Sequence, residues 1–391
     1  MSRFKLCCFL IFFLTFIAFF LFCKNSYAFD NNILRSQLKN LPTDTIEIFW
    51  DKIKQEYGKY FLEENASLFD LILEKKNNFS IKNILNGLLK FFFHEILYNS
   101  KLLVSIVILT VFSIILKTLQ TAFESKQVSN VAYAIVFIVI LTLAMNSFNT
   151  AIYTAKAAIS KMIDFMLALV PLLLTLLSAM GNITLTSFFH PFLVSVLNVI
   201  SMLIYTIYFP LLFFSVVLNL VSGISEKYKL NRLADLLKKL SIGFLGLLLA
   251  VFLGVISLQG TTLAVTDGIT LRTAKYFAGN FIPVVGKTIS EAADTVMGAS
   301  LLVKNIIGLS GVVILLLICI FPALKIFALS FIYNFCSAIL QPLGTGPVID
   351  SLAVIGKTLI YIFAALVMVG LMLFLTITII LLSGNISLML R

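Results

Sequence analysis

The chain has 391 residues, of which 60% are hydrophobic and only 12% are charged. Soluble domains average about 25% charged residues, so this composition excludes an ordinary soluble enzyme. Several apolar runs exceed the roughly 18 residues that indicate a membrane span, and we predict an all-α, polytopic helical membrane protein. The net charge of +11 is then expected to arise from basic residues that set the membrane topology and contact lipid headgroups. We expect no nucleic-acid binding.

Residues 1–28 have the features of a secretory signal peptide. Arg3 and Lys5 form a basic start, an apolar core follows, and Ser26 and Ala28 are small residues placed as a cleavage site requires. The alternative is an uncleaved first span. The short apolar core and the cleavage site favour removal of the segment.

Residues 29–98 are predicted to form a small, helical, extracytoplasmic segment, because they follow the signal peptide and are as charged as a soluble domain. One amphipathic helix stands out, with its apolar residues at helical spacing. Further helices are suggested around Leu68 and Ile72 and after Ser80. Seventy or so residues bury only a modest core, so we expect this segment to lean on the membrane part or on a partner. The apolar residues of the amphipathic helix are Ile46, Phe49, Trp50, Ile53 and Tyr57.

The remainder, 99–391, is predicted to be a polytopic membrane domain with a broken, amphipathic segment at 267–309. The stretch 187–223 is too long for one span at about 1.5 Å per residue, and we divide it near Pro210. The result is about eight spans. They cover roughly 101–122, 131–149, 163–181, 187–206, 208–223, 241–263, 310–335 and 354–383.

The segment 226–239 is the strongest topology marker, because it carries five basic residues against two acidic ones. Basic loops remain in the cytoplasm, and an exported N-terminus followed by five spans gives the same orientation. The broken segment and the C-terminus are then expected on the outer side. Two interpretations of 226–239 stay open: it sets topology alone, or it also docks a cytoplasmic partner such as an ATPase.

The stretch 275–311 is too polar and glycine-rich for an ordinary span and too apolar for a solvated loop. Its letters GNFIPVVGKT at 279–288 resemble a Walker A loop, but six residues separate Gly279 from the Gly-Lys pair where that motif has four. We interpret Gly279, Asn280 and Pro283 as a helix break.

The helix predicted after Pro283 is amphipathic, with Lys287, Glu291 and Asp294 on one stripe. One interpretation is a helix lying in the headgroup plane. The other is a re-entrant or cavity-lining helix whose polar stripe faces water or a partner.

Two further features are candidates for function or packing. Gly246, Ala250 and Gly254 repeat at intervals of four, a spacing that allows close approach of membrane helices, and we expect that contact to be internal. Pro322 and Lys325 lie near the middle of a long apolar run, where an ionisable residue is costly and often functional.

Chemistry that needs a metal or a cofactor is not predicted. The five cysteines fit no zinc spacing, and His94 and His190 are far apart in the sequence. No pair of carboxylates, and no nucleophile with a base, is evident. We therefore expect no cofactor and no enzymatic activity.

Several stretches together resemble one family, stage III sporulation protein AE of endospore-forming Firmicutes, and the resemblance is densest in the last third of the chain. The signal peptide, the charged outer segment and the polytopic remainder are similar too. The stretches are KYFAGNFIPVVG (275–286), DTVMGASLLVKN (294–305), GVVILLLICIFPALKI (311–326), AILQPLGTGPV (338–348) and FLTITIILLSGN (374–385).

This resemblance implies a function that composition does not show. The family belongs to the SpoIIIA assembly, which joins SpoIIQ to form a channel or feeding apparatus between mother cell and forespore after engulfment. It implies a place in the mother-cell-derived membrane, beside a secretion-type ATPase and ring-forming subunits. The alternative is a secondary transporter or permease in which 275–311 and Lys325 form a site at the membrane midplane.

Overall fold

The computed structural model describes residues 44–61, 81–122, 126–224, 230–281, 285–343 and 346–389. The predicted signal peptide and the helix expected around Leu68 and Ile72 lie outside these residues. In the described part, the fold is the predicted all-α one. Its helices are α1 (Asp44–Phe61), α2 (Ile81–Tyr98), α3 (Ser100–Ala122), α4 (Lys126–Ala179), α5 (Ile183–Leu203), α6 (Phe209–Ile224), α7 (Asn231–Phe281), α8 (Val285–Leu340) and α9 (Pro347–Met389).

The predicted number of membrane spans is wrong. Five helical stretches in the described residues are long and apolar enough to cross a membrane, or six if the bent pair Asn83–Tyr98 and Ser100–Leu116 counts as one. Hydropathy predicted separate spans where the structure has one continuous helix. For example, the spans predicted at 131–149 and 163–181 both fall on α4, which ends at Ala179. The five stretches are Ala134–Ala179, His190–Gly223, Asn231–Ile256, Gly298–Leu343 and Pro347–Ser383.

The division near Pro210 is also wrong. A π-helical turn, Ile204–Tyr208, joins α5 to α6 without an interruption. Proline lacks the N–H that would continue a helix, but here it follows a turn whose hydrogen bonds are already widened. The stretch 187–223 is consequently one long helix with a local change of pitch.

Helices α4, α8 and α9 form the centre of the bundle. Helix α8 runs antiparallel to α4: the Tyr333 hydroxyl donates a hydrogen bond to the Leu143 carbonyl over 3.5 Å, and Gly311, nearer the start of α8, packs on Leu169. The short 3₁₀ turn Gln341–Leu343 ends α8, after which α9 returns alongside it. The Ser330 hydroxyl donates to the Gly356 carbonyl over 2.7 Å across this hairpin.

Side chains fill the interior of these three helices. A buried apolar cluster extends along the described length of the bundle, from Phe137 and Ile355 to Leu173 and Ile380. Glycines on α9 let the helices approach closely, since a Cβ at Gly370 would lie 2.7 Å from the sulfur of Cys319. The described interior is therefore a packed core.

Candidate functional site

The predicted break in 275–311 falls between α7 and α8. Gly279 and Asn280 are still helical, because α7 extends to Phe281, so the helix does not break at these two residues. Pro283 lies outside the described residues, and α8 starts at Val285. The break predicted at Gly279 and Asn280 is thus displaced toward the carboxyl end.

The three residues of the predicted amphipathic stripe, Lys287, Glu291 and Asp294, lie in the first turns of α8. Their side chains lie outside the described part of the chain. The choice between a headgroup-facing and a cavity-lining stripe therefore stays a prediction.

Pro322 and Lys325 lie within α8, which continues through both residues. Lys325 is half-buried. Its neighbour Phe321 stacks on Tyr57 of α1, with ring centroids 4.1 Å apart, and meets the edge of Phe91 of α2 at 5.0 Å. Lys325 thus lies beside the place where the N-terminal helices dock.

That docking buries the apolar stripe of the predicted amphipathic helix. Ile46, Trp50 and Ile53 of α1 have almost no exposed surface. On its polar side, Lys161 of α4 pairs with Glu56 over 3.2 Å, and both side chains remain about half exposed. Burial raises the pKa of the Tyr57 hydroxyl above its ordinary value, and the adjacent Glu56 carboxylate adds to this. The sequence-based expectation that this segment leans on the membrane part is confirmed for α1 and α2.

Lys304 is the buried cation that sequence reasoning missed. It is completely buried, and its Nζ donates a hydrogen bond to the Leu381 carbonyl of α9 over 2.9 Å. One turn further along α8, Gly308 packs directly on the Leu381 side chain. A buried ammonium group needs such an acceptor because an unpaired charge in a low-dielectric interior is very costly. Lys304 therefore fixes the register of α8 against α9.

The small-residue stripe on α7 has no internal partner among the described residues. Gly246, Ala250 and Gly254 are all exposed, and a Cβ added at either glycine would meet nothing within 4 Å. The expectation of an internal contact is not met here. The stripe is left for lipid or for a neighbouring protein.

The start of α7 carries three of the five basic residues of the predicted topology marker, Arg232, Lys238 and Lys239, and Lys227 and Lys229 lie outside the described residues. Lys238 pairs with Asp235, three residues earlier. An open groove of about 930 Å³ follows this side of the helix. Its lining residues are Arg232, Asp235, Leu236, Lys239, Leu240, Gly243, Phe244 and Leu247.

The outward side of α4 is polar over most of its length. From residue 142 to residue 179, the exposed residues of this helix include no aliphatic side chain apart from Pro171 and Ala179, whereas nearer its start Ile135, Ile138 and Val139 are exposed. Most of these residues repeat at intervals of three and four, which places them on one helical face. They are Thr142, Asn146, Asn149, Thr150, Tyr153, Ser160, Lys161, Asp164, Pro171, Thr175 and Ala179.

Helix α5 packs beside α4 and extends this surface. The Tyr205 hydroxyl, just beyond α5, donates to the Lys156 carbonyl over 2.9 Å. Of the eight described residues of α5 that are exposed, four are polar and four are apolar, the latter being Ile183, Pro191, Val199 and Met202. The polar ones are Ser187, His190, Ser195 and Asn198. We call the exposed polar residues of the two helices the α4–α5 polar face.

Two other outward faces, on α8 and α3, are apolar. Helix α8 presents Phe327, Phe331, Phe335 and Ile339, each between 37% and 48% exposed. Helix α3 presents Val104, Ile108, Phe112 and Ile115, each at least half exposed. Apolar faces of this kind suit lipid tails. The fold and these surfaces define a multi-pass helical membrane protein in which α4, one of its long helices, carries a polar outward face.

Comparisons with known proteins give the family. The family model described as stage III sporulation protein AE matches residues 64–384. A relative named "Stage III sporulation protein AE", from Bacillus subtilis (strain 168), is 50% identical over 353 residues, covering 90% of this chain and 88% of the relative. The chain belongs to the stage III sporulation protein AE family, and it has a role in sporulation. No solved structure matches it.

Proposed function

We propose that the chain is a non-enzymatic membrane subunit of the SpoIIIA–SpoIIQ channel between mother cell and forespore, located in the mother-cell-derived membrane. The observation that carries the proposal is the 50% identity, over 90% of the chain, to a protein named for stage III of sporulation. The proposed partners are the other SpoIIIA proteins, including the secretion-type ATPase and the ring-forming subunits, and SpoIIQ across the intermembrane space.

The packed interior supports a subunit of a larger assembly. Buried apolar side chains occupy the centre of α4, α8 and α9 along the described bundle. Because this core leaves no room for a path through the centre of these three helices, any conducted material would pass along the outer surface of the chain, where it meets other subunits. The exposed basic residues at the start of α7 are suited to an acidic surface on the ATPase.

The geometry argues against the transporter alternative. Helix α8 is continuous from Val285 to Leu340, so about 60 Å of helix separates its start from Lys325 at about 1.5 Å per residue. A midplane site needs its groups close together. The start of α8 and Lys325 are therefore too far apart to share one midplane site, which argues against the alternative.

Gene deletion tests the proposal in the organism of origin. Loss of the chain should leave vegetative growth unchanged and stop spores after engulfment, measured as heat-resistant colony counts and by membrane staining of engulfed forespores. Normal spores together with slowed vegetative growth or uptake would contradict the proposal and favour the transporter.

Complementation tests the role at the level of the family. Expression of this chain in Bacillus subtilis that lacks its own relative should restore heat-resistant spores, and a fluorescent fusion should surround the engulfed forespore. Site-directed crosslinking from Lys239 should then capture the ATPase, with exposed Tyr153 on α4 as a control position. Restored spores with a fusion confined to vegetative septa would contradict the proposed location.

A further inference from the structure

The α4–α5 polar face lies on helices that are long and apolar enough to cross a membrane. Thr142 and Thr175 are 33 residues apart on α4, which corresponds to about 50 Å of helix. The hydrocarbon core of a bilayer is about 30 Å thick. Part of this face therefore lies at hydrocarbon depth wherever the helix crosses.

The hydroxyl groups on this face do not by themselves require water. Thr142 donates to the Ile138 carbonyl over 2.9 Å, and Thr175 donates to the Pro171 carbonyl over 2.8 Å. Such bonds to the preceding turn satisfy a hydroxyl even in lipid. The deciding groups are the amides, the carboxylate and the imidazole.

Within the apolar stretch Ala134–Ala179 of α4, a crossing of about 20 residues includes such a group, although Ile135, Ile138 and Val139 are also exposed at its start. A crossing in the first part of the helix includes Asn146 and Asn149. A crossing in its last part lies beside α5, because the Thr186 hydroxyl is 3.5 Å from the Leu174 carbonyl; there α5 exposes His190 and Ser195. Polar and ionisable side chains at that depth face a bundle interior or a water-filled cavity.

The interior of this bundle is not available to these side chains, because they are exposed and point away from the packed core. Lipid is unsuitable, since an ionised group such as the Asp164 carboxylate costs about 3 kcal/mol at the bilayer centre and an amide loses its hydrogen bonds to water there. A tightly packed partner helix is also disfavoured. Tyr153 is 75% exposed and Lys161 is 58% exposed, and long protruding side chains prevent the close approach that small residues allow.

We infer that the α4–α5 polar face borders a water-filled path between this chain and neighbouring subunits. The face forms one wall of the path and other chains close it, while α3 and α8 turn their apolar faces to lipid. This inference deepens the proposed function and rests on it for the identity of the path. The presence of water at the face is measurable whether or not sporulation requires the chain.

Cysteine scanning tests the inference with the full chain in native membranes. Single substitutions Asn146→Cys, Asn149→Cys, Thr175→Cys and Ser195→Cys are exposed to a charged, membrane-impermeant methanethiosulfonate from both sides. Each should react at least about tenfold faster than an exposed apolar control, because a thiol ionises in water and not in lipid. The parent chain measures the background, to which Cys7, Cys8 and Cys23 of the predicted signal peptide contribute wherever that segment is retained, whereas Cys319 and Cys336 are buried.

The controls match the test positions in height and exposure. Phe331→Cys and Phe335→Cys lie near the height of Asn146, since Tyr333 reaches Leu143. Leu382→Cys, at 51% exposure, lies near the height of Thr175. All three should react only after detergent is added.

Three results would overturn the inference. The first is protection of Asn146→Cys together with Asn149→Cys, or of Thr175→Cys together with Ser195→Cys, because lipid covers about 20 consecutive residues of a crossing helix. The second is equal reactivity of the control positions. The third is reactivity in vegetative cells that express the chain alone but protection in sporulating cells, which would show that a protein covers the face. Loss of the sporulation phenotype, by contrast, would affect only the proposed function.

Discussion

The outward faces of α4 and α8 belong to the same bundle but have opposite chemistry. Both helices exceed fifty residues, and both bury aliphatic residues in the shared core. Helix α8 turns phenylalanine rings outward, whereas α4 turns amides, hydroxyls and a carboxylate outward. One side of the chain is therefore suited to lipid and the other is not. A chain surrounded evenly by lipid has no reason to keep two such faces.

The largest effect is expected from Lys304→Glu, which tests whether the interior between the outward faces of α4 and α8 is closed. The substitution places a carboxylate against the Leu381 carbonyl in a fully buried position. An uncompensated buried charge costs about 4 kcal/mol, so the variant should fail to accumulate in the membrane. Lys325→Glu is the control on the same helix and should accumulate, because Lys325 is half-buried. Equal accumulation of the two would show that Lys304 is reached by water.

Charged substitutions on the two faces test the comparison directly. Phe335→Lys moves an ammonium group into the apolar face and should cost about 3 kcal/mol at hydrocarbon depth. Asn149→Lys, on the α4–α5 polar face, should cost almost nothing. Membrane accumulation and the melting temperature in mild detergent measure both. Equal losses at the two positions would remove the distinction between the faces.

Larger side chains at glycine positions test how closely the interior is packed. Gly370→Leu forces atoms into the space beside Cys319, whose sulfur lies 2.7 Å from an ideal Cβ, and overpacking of this kind costs about 2 kcal/mol. Gly246→Leu on α7 meets open space and should leave the melting temperature of the isolated chain unchanged. If Gly246→Leu lowers spore formation at normal abundance, the α7 stripe contacts another subunit. A stable Gly370→Leu variant would show a looser centre than the structure has.

The smallest expected effect is at the edge of the polar face. Glu56→Gln removes the ion pair with Lys161, whose partners are both about half exposed. Exposed pairs are worth about 0.5 kcal/mol and weaken with salt, so the protease resistance of α1 should fall slightly at low ionic strength and not at high ionic strength. A large, salt-independent loss would show that Glu56 anchors α1 in another way.

The class of fold could be predicted from the sequence, but the number of spans could not. Hydropathy reports how apolar a segment is and does not separate a lipid-facing leucine from one inside a protein core. The polar residues between Asn149 and Lys161 lowered the hydropathy of α4 and suggested a connection. They lie on one face, however, and the opposite face with Ala155 and Ile159 remains buried. Those polar residues are spaced at intervals of three and four, and this spacing was the sequence signal that indicates one continuous helix.

The choice between Lys304 and Lys325 shows the same limit. Lys325 attracted attention because it lies in the middle of an apolar run, yet that run extends far beyond the thickness of a bilayer, and its middle has no special depth. Lys304 lies nearer an end of the run and is completely buried. Only the pairing of α8 with α9, which is a long-range contact, distinguishes the two lysines. No local pattern contains it.

The π-helical turn at Ile204–Tyr208 makes this region tolerant of a change in chain length. A π turn holds one more residue than an α-helical turn, so removal of the exposed Thr206 would convert it to an ordinary turn and leave the buried sides of α5 and α6 aligned. The same deletion within α6 would rotate all later residues by about 100° and carry Val216 and Leu220 out of the core. Sequences related to this one by a single-residue gap at 204–208 can therefore share its packing.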